Sequence, residues 1–107
     1  MLALINAHLI LPDHVIPDGI LLTENGRIVD FGEMRSLEAP PGAEVVDAGG
    51  AFLGPGLVDI HTHSGGVSWF YDDPLDAAQF HLQHGTTSLL PALYFNLPQP
   101  DLIAAVR

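Results

Sequence analysis

Two histidines one residue apart are the feature of this sequence whose type and spacing could do chemistry. His61 and His63 end a short apolar run that begins at Leu57. If this run is a β-strand, its side chains alternate between faces, so both imidazoles point the same way and Thr62 points opposite. Two neutral imidazole nitrogens on one face can chelate a divalent ion such as zinc, iron or nickel. The pair therefore indicates a candidate metal site, although an isolated His-x-His pattern also arises by chance.

The position of the pair favours a site over a chance pattern. Ser64, Gly65 and Gly66 follow directly, so the histidines stand where the predicted strand gives way to a glycine-rich loop. In α/β barrels the active site is built from the loops that follow the C-terminal ends of the strands. We therefore predict that residues 57–63 form a buried strand that presents the two imidazoles at its C-terminal end.

A helix is predicted after this loop. Asp73 can cap its N-terminus, Pro74 suits the first helical position, and Asp76 lies three residues after the cap. The helix is expected to run to about His84, and Gly85 is expected to end it in a left-handed conformation. The residues predicted on its apolar face are Leu75, Ala78 and Leu82.

A second strand and a second helix complete the C-terminal half. Residues 86–90 form an apolar run closed by Pro91, which cannot donate to a sheet and so belongs near the end of a strand. Residues 101–107 have a helical pattern after Pro98. A strand-helix-strand order predicts that the two strands are parallel neighbours joined by a right-handed crossover.

The N-terminal half has the pattern of a small antiparallel β unit. A strand is predicted over residues 2–11, and two apolar runs over 20–23 and 28–31 flank Asn25-Gly26. Asn-Gly between apolar runs is a strong hairpin signal, because both central residues of a type I′ turn need positive φ. After a loop over residues 32–42, short strands are predicted over 44–47 and 51–53.

Composition excludes several classes of partner. The chain has 107 residues, 48% of them hydrophobic, and a net charge of −10, which disfavours binding to nucleic acid and to anionic membranes. It contains no cysteine, so disulfides and thiolate metal sites are excluded. No apolar run reaches the roughly 20 residues that span a bilayer, and the first residues lack the basic start of a signal peptide. We therefore expect a cytoplasmic protein.

Two segments carry a resemblance to a known family. The first, Pro55–His63 with the sequence PGLVDIHTH, resembles the first barrel strand of the amidohydrolase superfamily. The second, His84–Pro91 with the sequence HGTTSLLP, resembles the second strand as it occurs in N-acetylglucosamine-6-phosphate deacetylases. The hairpin that contains Asp18-Gly19 and Asn25-Gly26 is similar to the small β-sandwich that precedes the barrel in those proteins. Dihydroorotase-like cyclic-amide hydrolases share the first segment.

The resemblance implies an α/β fold in two parts. Residues 1–54 would be a portion of a small antiparallel β-sandwich, and residues 55–107 would be the first β-α-β-α units of a (β/α)8 TIM-type barrel. A complete barrel needs roughly 250 residues, so we expect this chain to correspond to the N-terminal portion of such a protein.

The resemblance also implies a metal-dependent hydrolase. His61 and His63 would be ligands of a divalent metal, usually zinc with iron as an alternative, which polarises an acetamide carbonyl and lowers the pKa of a bound water. The family's remaining ligands and its general-base aspartate come from later strands and have no matching positions here, so the chain alone is expected to be inactive. The implied substrate is a small amino sugar phosphate, and we expect a homo-oligomer or association with the rest of the barrel.

Two other functions stay open at this point. One is a cyclic-amide hydrolase of the same superfamily, and the other is a non-catalytic module that binds metal weakly or packs against a partner chain.

Several further side chains have a structural interpretation beside a functional one. Asp59 shares the face of the two histidines but lies deeper in the strand, where packing is expected. Residues 69–71 are aromatic and could stack on a sugar ring or pack within their loop. Residues 72, 73 and 76 are aspartates that could bind a hard cation or cap the helix. The histidines not predicted to be ligands are His8, His14, His81 and His84.

Overall fold

The N-terminal unit is one sheet of five strands. The computed structural model describes residues 1–93 and 97–105, and the chain divides into two compact units, Met1–Pro55 and Gly56–Arg107. The strands of the first unit are β1 (Leu2–Ile10), β2 (Val15–Glu24), β3 (Arg27–Glu33), β4 (Glu44–Asp47) and β5 (Phe52–Leu53). The strand order is β3-β2-β1-β4, and β5 also pairs with β1.

The β2–β3 connection is the hairpin predicted from the sequence. Asn25 and Gly26 have φ values of 51° and 73°, as a type I′ turn requires. The turn places Glu24 opposite Arg27. The buried hydrophobic residues of this unit lie on β1 and β2, and they are Ala3, Ala7, Leu9, Ile20 and Leu22.

The prediction of a wholly antiparallel unit is wrong for β4 and β5. Both strands run parallel to β1, with Leu2 opposite Glu44 and His8 opposite Phe52. The segment between β3 and β4 returns the chain to the start of β1, where the Glu44 N–H donates to the Met1 carbonyl at 3.1 Å. Local alternation predicts a strand but not its direction, which this connection decides. Within the described residues the unit is a single sheet, without the second layer of a sandwich.

The C-terminal unit combines two small sheets with two helices. Its elements within the described residues are β6 Leu57–Thr62, β7 Ser64–Gly65, β8 Ser68–Trp69, α1 Pro74–Gln83, β9 Thr86–Pro91 and α2 Gln99–Ala105. Strands β6 and β9 pair in parallel, and β7 and β8 form a short antiparallel ribbon. The predicted parallel pairing is confirmed. The predicted helix over 101–107 is observed as α2, and residues 106 and 107 lie outside the described residues.

Helix α1 begins and ends where the sequence predicts. The Asp73 carboxylate accepts a hydrogen bond from the Asp76 N–H at 3.1 Å, which satisfies one of the free donors of the first turn. At the other end His84 is the C-cap, and Gly85 has a φ of 92°. Both signals act within a few residues, so they hold irrespective of what surrounds the helix.

The predicted burial of β6 and of the helix face is wrong in this chain. Leu57, Val58 and Ile60 are 61%, 68% and 78% exposed, and Leu75 on α1 is 81% exposed. The buried residue of α1 is Ala77 instead. One helix and two strands cannot cover both faces of a sheet, so apolar positions whose pattern predicts an interior remain uncovered.

The contact between α1 and β7 depends on a glycine. A Cβ atom at Gly65 would lie 2.2 Å from the Ala77 carbonyl oxygen, and Ala77 is fully buried. Backbone therefore approaches backbone at this point, where only glycine fits. The contact fixes the middle of α1 beside the turn that follows the two histidines.

Gly65→Ala is therefore expected to destabilise the C-terminal unit by about 1–3 kcal/mol, because α1 must move away from β7. Denaturant unfolding followed by circular dichroism would measure the change. Gly32→Ala is the matched control, since a Cβ at Gly32 meets nothing within 4 Å. Equal stability of the two variants would contradict the close approach.

The exposed apolar residues of β6 are expected to make the isolated chain self-associate, because β6 and β9 pair only with each other among the described residues and so leave an edge on each side. Size-exclusion chromatography with light scattering should show a mass that rises with concentration. Ile60→Thr should reduce the association more than the control Val67→Thr, which changes an exposed residue outside the strands. A monomer that unfolds cooperatively at all concentrations would refute this expectation.

Candidate metal centre

The two histidines after the apolar run lie together at the end of β6. The Nε2 atoms of His61 and His63 are 3.1 Å apart. Their ring centroids are 4.8 Å apart, and the ring planes are nearly perpendicular at 87°. The predicted placement of both imidazoles on one side of the strand is therefore confirmed.

This spacing fits two ligands of one metal ion. Two nitrogens bound to zinc at about 2.0–2.1 Å lie about 3.3 Å apart at a tetrahedral angle and about 2.9 Å apart at a right angle. The observed 3.1 Å between the Nε2 atoms falls between these values. Neutral imidazole is also a ligand that zinc and iron accept, so the pair fits the implied metal in both geometry and chemistry.

A backbone carbonyl sets the tautomer of the neutral His63 imidazole. The Nδ1 atom of His63 lies 2.8 Å from the carbonyl oxygen of Ala92. A carbonyl oxygen only accepts, so Nδ1 carries the hydrogen and the Nε2 lone pair is directed at His61. Metal-binding histidines are commonly held in this way, with the second ring nitrogen bonded to a carbonyl or a carboxylate. His61 is then the donor in the contact between the two rings, and a metal ion would displace that hydrogen.

The ends of the two parallel strands are joined at this site. The Ala92 N–H donates to the Thr62 carbonyl at 2.7 Å, and the Phe70 N–H donates to the His63 carbonyl at 3.2 Å. Ala92 follows Pro91, the last residue of β9. Sequence reasoning missed Ala92, because its contribution comes from its backbone and no side-chain pattern signals it.

Asp59 contacts the backbone of its own strand, β6. Its Oδ1 atom accepts a hydrogen bond from the His61 N–H at 3.0 Å. The carboxylate thus bonds to the backbone two residues further along β6. This contact is structural, as its deeper position in the strand suggested.

Three of the remaining histidines have partners away from the pair. His8 packs its ring against Phe52 with centroids 5.2 Å apart. The Nδ1 atom of His84 lies 2.7 Å from the Phe80 carbonyl within its own helix. His14 lies 2.7 Å from the Asp13 carboxylate, and this hydrogen bond holds the pKa of Asp13 below its usual value.

The aromatic residues of the loop pack within their own unit. The Trp69 and Tyr71 rings are stacked with centroids 5.8 Å apart, and Phe70 stacks on His81 at the same distance. These contacts correspond to the packing interpretation of residues 69–71.

The aspartates near α1 have structural partners. Asp73 caps the helix, and Asp76 accepts a hydrogen bond from the Ser68 hydroxyl at 2.6 Å. In residues 1–93 and 97–105, no group of three or more histidine, aspartate or glutamate side chains could hold a metal ion. Among the described residues, His61 and His63 therefore remain a pair of candidate ligands. Across the same residues, no helix is long and apolar enough to cross a membrane.

Comparison with curated proteins finds relatives in several hydrolase groups, and no protein-family model matches the chain. The chain is 54% identical over 43 residues to a dihydroorotase of Pelobacter propionicus, which covers 40% of this chain and 10% of that protein. It is 39% identical over 94 residues to a 5'-deoxyadenosine deaminase of Methanococcoides burtonii, which covers 86% of this chain and 20% of that protein. The chain thus spans a fifth or less of these relatives.

Solved structures of deacetylases match nearly the whole chain. N-acetylglucosamine-6-phosphate deacetylase from Pasteurella multocida matches 98% of this chain and 28% of its own, with a TM-score of 0.75 and 22% identity, a likeness of fold. The deacetylase from Mycobacterium smegmatis matches 99% of this chain and 30% of its own, with a TM-score of 0.73 and 28% identity. Together with the curated relatives, these matches show that the chain belongs to the amidohydrolase superfamily, corresponds to the N-terminal portion of such a protein, and is similar to the N-acetylglucosamine-6-phosphate deacetylases.

Proposed function

We propose that this chain supplies two metal ligands, His61 and His63, to a deacetylase that hydrolyses the acetamide of N-acetylglucosamine-6-phosphate. The observation that carries the proposal is the pair of Nε2 atoms 3.1 Å apart, with His63 oriented by the Ala92 carbonyl. Members of the superfamily are metal-dependent hydrolases. The choice of substrate is supported by the likeness of nearly the whole chain to the deacetylase of M. smegmatis.

The residues of this chain bind and orient in the proposed reaction. A bound divalent ion supplies polarisation of the amide carbonyl and a lower pKa for water. His61 and His63 would hold the ion through Nε2, while the Ala92 carbonyl keeps the hydrogen of His63 on Nδ1. Asp59 holds the backbone of His61. The general-base aspartate that the resemblance implies has no matching position in this chain, so proton transfer belongs to residues outside it.

Zinc is the proposed metal, and iron is the alternative. Two imidazole nitrogens suit either ion. Two protein ligands fill only part of a tetrahedral site, so tight binding requires the further ligands that later strands of the implied fold would supply.

The barrel origin of the C-terminal unit is part of the proposal. We infer that β6, α1 and β9 are the first elements of a (β/α)8 barrel and that the N-terminal sheet is a portion of the small β-domain that precedes the barrel in the sequence. The exposure of apolar residues on β6 supports this inference, because neighbouring barrel elements would cover them. The proposed partners are therefore the rest of the barrel, or a second copy, and a small amino sugar phosphate. The chain has three arginines, at positions 27, 35 and 107, and no lysine, so recognition of the phosphate is assigned to residues outside it.

A cyclic-amide hydrolase is the second candidate. The specific observation in its favour is the 54% identity over 43 residues to the dihydroorotase of P. propionicus. The same metal chemistry would then act on an amide within a ring. The two candidates differ in substrate and share the role of His61 and His63.

Zinc binding by the 107-residue chain tests the ligand assignment. We expect weak binding, and we expect His61→Ala to lower the affinity at least about tenfold, because one imidazole alone cannot chelate. Isothermal titration with Zn²⁺ would measure both values. His14→Ala is the control, since His14 pairs with Asp13 and lies in the other unit. Unchanged zinc binding in His61→Ala would place the site elsewhere.

Release of acetate from N-acetylglucosamine-6-phosphate by the full-length protein tests the substrate. We expect turnover that a chelator abolishes and added zinc restores, and we expect His63→Ala to lower kcat/KM by more than about a hundredfold, because the ligand and its link to Ala92 are both lost. Turnover of dihydroorotate without turnover of the sugar phosphate would refute the deacetylase and support the second candidate.

A further inference from the structure

His81 lies on α1, and its side chain contacts the turn Thr62–Ser64. This turn contains His63 and directly follows His61. The Nε2 atom of His81 is 2.9 Å from the Ser64 carbonyl oxygen and 3.2 Å from the Thr62 hydroxyl. These two residues flank His63. Because the Ser64 carbonyl only accepts, Nε2 of His81 carries the hydrogen and donates it.

The Thr62 side chain joins the same contact from the opposite face of the strand. Its hydroxyl donates to the Ser64 carbonyl at 3.2 Å, and Thr62 is the buried polar residue of the described chain, with 9% exposure. The Ser64 carbonyl thus accepts from both a hydroxyl and an imidazole. Buried polar groups that are fully paired in this way fix one backbone conformation.

The ring of His81 is itself held in place. It stacks on Phe70 with an angle of 20° between the ring planes, and the Phe70 N–H donates to the His63 carbonyl. Helix α1 is fixed at its middle by the contact of Ala77 with Gly65. His81 therefore acts from a fixed helix on a turn that Phe70 holds from another side.

We propose that His81 is a positioning residue, whose Nε2–H holds the 62–64 turn so that His61 and His63 keep the separation that a metal ion needs. We assign His81 no ligand role, since its Nε2–H is bonded to the Ser64 carbonyl. The role rests on the proposed function, since it concerns the same two imidazoles.

The test compares three variants of the chain. His81→Phe keeps a ring that can stack on Phe70 but removes the donor. His81→Gln keeps an N–H donor at a similar distance from the backbone. His84→Phe is the matched control, because His84 is the C-cap of the same helix and its ring bonds to the Phe80 carbonyl. Circular dichroism and denaturant unfolding would establish that each variant is folded.

Zinc titration is the first measurement. We expect His81→Phe to bind Zn²⁺ about three- to tenfold more weakly than the parent chain, as the loss of one orienting hydrogen bond implies. His81→Gln should restore most of the affinity, and His84→Phe should match the parent chain. Equal affinity of His81→Phe and His84→Phe would overturn the proposal, as would a loss in His81→Gln as large as that in His81→Phe.

The second measurement needs no metal. Long-range ¹H–¹⁵N spectra report which nitrogen of each imidazole carries the hydrogen, and we expect His63 to carry it on Nδ1 in the parent chain. His81→Phe should give a mixture of both tautomers at His63, and His81→Gln should not. If His61→Ala leaves zinc binding unchanged, the proposed function fails. The role of His81 is then still decided by the tautomer of His63 in the metal-free chain. An unchanged His63 tautomer in His81→Phe would then overturn that role.

Discussion

The hydrogen bond from His63 Nδ1 to the Ala92 carbonyl is the interaction on which the site depends. It decides which ring nitrogen bears the lone pair, and so it directs Nε2 toward His61 at 3.1 Å. The bond exists because β6 and β9 are parallel neighbours whose C-terminal ends lie at one edge, where the Ala92 N–H also donates to the Thr62 carbonyl. The metal chemistry proposed for this chain thus begins with backbone pairing between two strands.

The turn after β6 is supported from a second direction by α1. Gly65 admits the backbone of Ala77, which brings the helix close enough for His81 to reach the Ser64 carbonyl. A residue with a Cβ atom at position 65 would move the helix and with it the imidazole. The packing of α1 and the pairing of β6 with β9 therefore both restrict the turn Thr62–Ser64. Such support from two directions is typical of sites that must hold a fixed geometry.

The apolar pattern of β6 predicts the strand correctly but predicts its burial wrongly. Val58 and Ile60 have the composition of an interior strand, and the sequence predicts an interior for them, yet both are exposed. Burial depends on neighbours as well as on composition, and this chain spans less than a third of the deacetylase structures that it matches. We infer that the apolar pattern of β6 fits a larger fold in which further elements cover this strand.

Local physics determined the features that the sequence predicted correctly. The Asn25-Gly26 turn, the Asp73 cap and the alternation that brings His61 beside His63 each follow from dihedral preferences or bonds within a few residues. Tertiary structure alone decided the direction of β4, the carbonyl that orients His63 and the contact of His81 with the turn. The hydrogen bonds of His81 and of His63 join residues that are 17 and 29 positions apart in the sequence. Such pairings depend on how strands and helices meet in space, which no local pattern encodes.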